Sequence, residues 1–324
     1  MKLPKFRDLS LIIITFVIVL ITACHNYSNP NLSNKILPAS ECRLVQHELG
    51  KTCVPLKPQR IVALDQIALE ALIALDLKPI GIPQPAFFGS KANLLKNKLA
   101  GINYIGKEPQ INLEKMVKLK PDLIIGVYGI DAGNYKLFSQ IAPTVKANYF
   151  YTNWQIHLRQ IGNFTNKIGK AEELISQYEQ RLKTVKAELG DKLDTLKVTV
   201  SRIHGGAKLP EFQSQFSFPG SIVNAVGISM PDAQRQFIKT PDDILIILSL
   251  ERIDLLDADV LFIAVDPGAT DAFQQYQKTR LWQTLNVVKN KKVYTVDSGY
   301  WVLGSVLSAN AILDDLAKYL LKAD

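Results

Sequence analysis

Few residues in this 324-residue chain have a type and spacing suited to chemistry. The four histidines, His25, His47, His157 and His204, are scattered, and no His, Cys and carboxylate set has metal-ligand spacing. No Gly-x-Ser-x-Gly elbow, Walker loop, Gly-x-Gly-x-x-Gly turn after a strand or His-Glu-x-x-His helix occurs, so no catalytic set is expected. The net charge is +8, without a block of five or more Lys and Arg, which argues against a nucleic-acid partner. What remains is binding chemistry. Arg202 ends an apolar run, where a guanidinium presents a fork of donors to the oxygens of an anionic ligand. The alternative for Arg202 is a structural salt bridge. Trp301, Tyr300, Tyr128 and Phe88 offer flat faces, and Gln66 and His204 offer polar groups; a place in a lobe core is the alternative for Trp301.

These residues fall at the carboxyl ends of candidate strands, where open α/β sheets bind ligands. Apolar runs at 61–64, 78–82, 103–105 and 122–127 alternate with helical spacing at 66–75 and 113–119. The pattern restarts after residue 197, with strands at 197–202, 258–265 and 292–296 and helices at 219–226 and 307–322. Between the two sets, apolar residues at 171, 174, 175, 178, 182 and 185 form the stripe of one long amphipathic helix ending near Gly190. The spacing therefore predicts two α/β halves flanking a helix, with a ligand cleft between them.

The N-terminus sets the compartment. Lys2, Lys5 and Arg7 precede an uncharged apolar run over 9–23, which suits a signal-peptide core and is short for a bilayer span; a permanent anchor helix is the alternative. Ile21-Thr22-Ala23-Cys24 resembles the bacterial lipobox, which implies cleavage before Cys24 and lipid on its thiol. A polar tether rich in Asn and Ser follows. Cys42 and Cys53 are the even remainder in an exported chain and are expected to form a disulfide, with two free thiols as the alternative. Closing so short a loop contributes on the order of 3 kcal/mol in the chain-entropy model.

Several stretches in the same order resemble the iron–siderophore-binding lipoproteins of bacterial ABC importers, the ferric dicitrate, hydroxamate and cobalamin type. They are Pro58-Gln59-Arg60-Ile61-Val62-Ala63-Leu64, Leu69-Glu70-Ala71-Leu72, Leu119-Lys120-Pro121-Asp122-Leu123-Ile124, Gln140-Ile141-Ala142-Pro143-Thr144, Leu256-Asp257-Ala258-Asp259-Val260 and Leu313-Asp314-Asp315-Leu316. The resemblance implies two Rossmann-like lobes joined by one long rigid helix, the class III periplasmic binding protein architecture. It divides the chain into a signal peptide at 1–23, an anchor, tether and disulfide segment at 24–58, lobes at 59–153 and 191–324, and a helical connector at 154–190. It implies capture of a ferric siderophore for a permease and its ATPase by a monomer lipid-anchored outside the cytoplasm, with no cofactor and no protein ligand on the iron. A cobalamin or haem receptor of the same fold is the alternative, and a direct metal-ion receptor a weaker one. Arg202 and Trp301 match ligand-site positions of the family. Glu70 matches an acid that docks on permease arginines, with a solvated helix acid as the alternative; the similar helix over 220–227 carries no acid.

Overall fold

The computed structural model describes residues 41–85, 89 and 91–321. The segment expected to be a signal peptide, Cys24 and Phe88 lie outside the described residues. An antiparallel hairpin comes first, β1 (Cys42–His47) against β2 (Gly50–Pro55). Cys42 and Cys53 form a disulfide across it, with Cα atoms 5.5 Å apart.

The first lobe is a six-stranded sheet of β3 (Ile61–Ala63), β4 (Gly81–Gln84), β5 (Asn103–Lys107), β6 (Gln110–Ile111), β7 (Leu123–Gly126) and β8 (Thr144–Lys146). Its order is β6-β5-β4-β3-β7-β8, parallel apart from β6. The hairpin seals the β8 edge: Glu48 N donates to Lys146 O at 3.2 Å and Thr52 Oγ1 to Thr144 O at 3.0 Å. Asp65 follows β3 and caps α1 (Gln66–Ala74), accepting from Ile67 N and Ala68 N through one oxygen. Its other oxygen accepts from Val127 N at 2.7 Å and Tyr128 N at 3.0 Å, so one carboxylate ties the ends of β3 and β7 together. The strand expected at 78–82 starts only at Gly81; Pro79 has no N–H to donate to a ladder.

Helices α2 (Trp154–Phe164) and α3 (Ile168–Leu189) carry the chain out of this lobe. With 22 residues, α3 is about 33 Å long at 1.5 Å per residue. Its buried stripe, Ala171, Ile175, Tyr178, Val185 and Leu189, follows the expected spacing. The second lobe has five strands, β9 (Val198–Ile203), β10 (Pro210–Gln213), β11 (Leu245–Ile247), β12 (Val260–Val265) and β13 (Val293–Val296), in the order β11-β10-β9-β12-β13. β10 runs antiparallel to both its neighbours, a feature the sequence pattern did not reveal. Ser217 caps α4 (Phe218–Val226), and Gly227 closes it at φ 102°, which glycine adopts without steric cost. The last helix, α5 (Val306–Leu320), packs against α1, α3 and α4 and so touches both lobes. One apolar cluster, from Val45 in the hairpin to Leu320, spans both lobes, and two smaller clusters lie one in each lobe. Among the described residues, no helix is long and apolar enough to cross a membrane.

Candidate functional site

A cavity of about 640 Å³ lies between the lobes. One wall is Tyr149-Phe150-Tyr151-Thr152, where the chain leaves β8 for α2. The facing wall comes from the second lobe: Gln215 and Phe216 after β10, Ser221 and Asn224 on α4, and Pro241 and Asp242 before β11. A second cavity, about 500 Å³, shares Gln215, Phe216, Asn224 and Pro241 and brings in Arg235 and Lys239. Both volumes suit a small-molecule ligand.

The first wall is an aromatic cluster. Tyr149 packs edge-on against Tyr128 at 6.5 Å and Tyr151 at 4.9 Å, and stacks on His157 of α2 at 5.8 Å. His157 is fully buried with no partner for either ring nitrogen, and the Tyr149 hydroxyl is likewise buried without one. Burial, reinforced by the Lys91 ammonium, pushes the His157 pKa down to about 3 and keeps the ring neutral. Burial raises the Tyr149 and Tyr151 hydroxyls, so this wall is uncharged.

The residues singled out in the sequence are not gathered in one place. Tyr128 is 58% exposed and joins the aromatic wall. Gln66 is buried; its Oε1 accepts from Lys91 N at 2.9 Å and its Nε2 has no partner. His204 is half-buried and accepts through Nδ1 from Gly206 N and Ala207 N, which closes a turn. Tyr300 and Trp301 both donate to Asp315 Oδ2, at 2.9 and 2.8 Å. Trp301 is 1% exposed and stacks on Phe262 at 4.9 Å, so its face meets the second lobe's core rather than a cleft.

Arg202 is buried in an ion-pair cluster. Its Nε and Nη2 donate to Asp266, the latter at 2.6 Å, and its Nη1 lies 3.7 Å from Glu211 Oε1. The salt-bridge alternative therefore describes its geometry: β9 and β12 run in parallel register, and Arg202 and Asp266 sit at their ends. Burial pushes the Glu211 carboxyl up to about 7, although Arg202 pulls it the other way.

Glu70 requires a correction. It was expected to dock on permease arginines, with a solvated helix acid as the alternative; its side chain is fully buried, which fits neither. Every residue of α1 is buried, because α5 covers the face that the apolar spacing leaves polar. Sequence reading missed the 149–152 and 215–216 walls; their only signal is the aromatic run Tyr149-Phe150-Tyr151 at the mouth of the connector.

Residues 61–300 match the family model described as periplasmic binding protein. The chain belongs to the periplasmic binding protein family. Members of this family are substrate-binding components of transport systems. The chain is 32% identical over 321 residues to the probable siderophore-binding lipoprotein YfiY of Bacillus subtilis, covering 96% of this chain and 97% of that one. It is 29% identical over 271 residues to the achromobactin-binding periplasmic protein of Dickeya dadantii, covering 81% and 86%. Among solved structures, Staphylococcus aureus SirA complexed with staphyloferrin B aligns with a TM-score of 0.73 at 26% identity, covering 86% of this chain and 98% of that one. FeuA of Bacillus subtilis, complexed with ferri-bacillibactin, shares the fold at a TM-score of 0.71 and 21% identity, over 86% and 98%. The family fold, two Rossmann-like lobes bridged by one long helix, is the architecture observed here.

Proposed function

We propose that this chain is the extracytoplasmic receptor of an ABC importer, which captures a ferric siderophore between its two lobes and delivers it to a permease driven by its ATPase. The observation that carries the reading is the interlobe cavity of about 640 Å³, walled by Tyr149, Phe150 and Tyr151 on one side and by Gln215, Phe216 and Asn224 on the other. Aromatic faces suit a flat chelate, and amide groups suit its oxygen-rich rim. The neighbouring Arg235 and Lys239 add positive charge where an anionic chelate would reach. The similarity to the probable siderophore-binding lipoprotein YfiY and to SirA complexed with staphyloferrin B supports the same ligand class. A siderophore that fills the iron's coordination sphere would need no protein ligand on the metal. Lipid on Cys24 would hold the body at the membrane surface, with the residues after it as tether, and the receptor would act as a monomer. The lobes are read as residues 59–153 and 191–324, with 154–190 as connector. The purified soluble body, titrated with ferric siderophores, cobalamin and haem, should take up a coloured ferric chelate in a one-to-one complex. Binding of haem or cobalamin alone would sink this reading.

A further inference from the structure

Glu70 and Lys91 are buried together where the two lobes meet. Lys91, on the segment after β4 in the first lobe, is 1% exposed. Its Nζ donates to Gly299 O at 2.9 Å and Leu303 O at 2.8 Å, both on the segment after β13 in the second lobe. It also meets Ser308 Oγ at 2.8 Å and Glu70 Oε2 at 2.8 Å. Glu70 Oε1 accepts from Ser305 N at 3.0 Å and Ser308 N at 2.7 Å, at the N-terminus of α5, where the helix dipole favours an anion. At the rim, Gly89 N donates to Ser298 Oγ at 3.1 Å and Asn93 Nδ2 to Asp297 Oδ2 at 2.9 Å. The backbones nearly touch: a Cβ on Gly89 would stand 2.5 Å from Gly299 N.

We infer that Glu70 and Lys91 form an interlobe latch that fixes the spacing of the lobes, and hence how long a ligand between them is retained. The inference rests on the reading that the ligand lies between the lobes. An exposed ion pair tolerates slack because water replaces a lost partner. A buried pair does not, since a small separation strands two charges in a medium that cannot solvate them. The ion pair is therefore either intact or broken, and its loss leaves only the neutral bonds around it to hold the lobes, which then move over a wider range. Glu70 and Lys91 act here as positioning residues and touch no ligand.

The test separates latching from folding. Lys91→Met alone strands the Glu70 carboxylate and should unfold at lower denaturant. The double variant Glu70→Gln/Lys91→Met leaves no buried charge, and its carboxamide still accepts from Ser305 and Ser308, so it should regain most of the lost stability. Gly89→Ala wedges the rim apart without touching either charge. Spin labels at Lys115→Cys and Gln283→Cys, both exposed and one on each lobe, report the interlobe distance by pulsed dipolar resonance. The wild type should give a narrow distribution, and the double variant and Gly89→Ala broad ones. Dissociation of a ferric siderophore should speed up by about tenfold in both, with association little changed. A distribution as narrow as wild type in both variants overturns the latch. Unchanged dissociation despite a broadened distribution overturns its link to retention. If no form of the protein binds a ferric siderophore, the ligand reading fails, and the distance widths still decide the latch.

Discussion

His157 should control the acid limb of stability. It is fully buried, neither ring nitrogen has a partner, and its pKa is pushed down from 6.5 to about 3. The unfolded chain takes up a proton on this ring as pH falls through 6.5, while the folded chain does so only near 3. The folded state thus loses stability as the solution is acidified, at about 1.36 kcal/mol per unit below 6.5. From pH ~7.5 to ~4.5 the loss is about 3 kcal/mol for this group. His157→Phe keeps the ring stacked on Tyr149 and removes both the titration and the unpartnered nitrogens. At neutral pH the variant should match or exceed wild-type stability, since a buried polar atom without a partner costs about 1–3 kcal/mol. Urea unfolding of both proteins at several pH values measures the difference directly. Burial also raises the Glu108 carboxyl to about 8 and the Glu211 carboxyl to about 7. Those groups work in the opposite sense, favouring the folded state as pH falls from about 8 toward the carboxylate range, but they are common to both proteins and cancel. The variant's advantage should grow by about 3 kcal/mol toward pH ~4.5. A difference that stays flat over that range would refute the reasoning.

Arg202→Ala should lower stability by about 3–5 kcal/mol, because it leaves the buried Asp266 and Glu211 without their cation. The affinity of the molecules that remain folded should change by less than about tenfold; a wild-type urea midpoint with lost affinity would return Arg202 to the ligand. Cys24→Ser should accumulate as an unprocessed precursor without lipid, read by mass spectrometry of membrane fractions; normal processing and palmitate labelling would remove Cys24 as the anchor.

The alternation of strands and helices was legible because each period reflects one buried face, and the α3 stripe marks the connector for the same reason. The Cys42–Cys53 bridge followed from export and an even remainder. Short antiparallel strands such as β10 and β11, with four and three residues, carry too little pattern to be seen. Burial by distant partners was also invisible. Glu70 lies off the apolar stripe of its own helix, and what covers it is Ser305 and Ser308, more than two hundred residues away in sequence. Trp301 sits after a strand end as a ligand-stacking residue would, but its ring turns back onto Phe262. Arg202 was located at the correct strand end, yet Asp266, its partner on the adjacent strand end, could be paired with it only once the sheet order was known.

The most direct test of ligand capture between the lobes is a tryptophan-fluorescence titration with a ferric siderophore, comparing wild type with Tyr151→Ala and Phe216→Ala. These two residues face each other across the interlobe cavity, one from each lobe, and both are half-buried, so truncation should spare the fold. Wild type should quench saturably at one ligand per protein, and each variant should bind about ten- to a hundredfold more weakly. Equal affinity in all three proteins, or no ferric chelate bound by wild type, would contradict it.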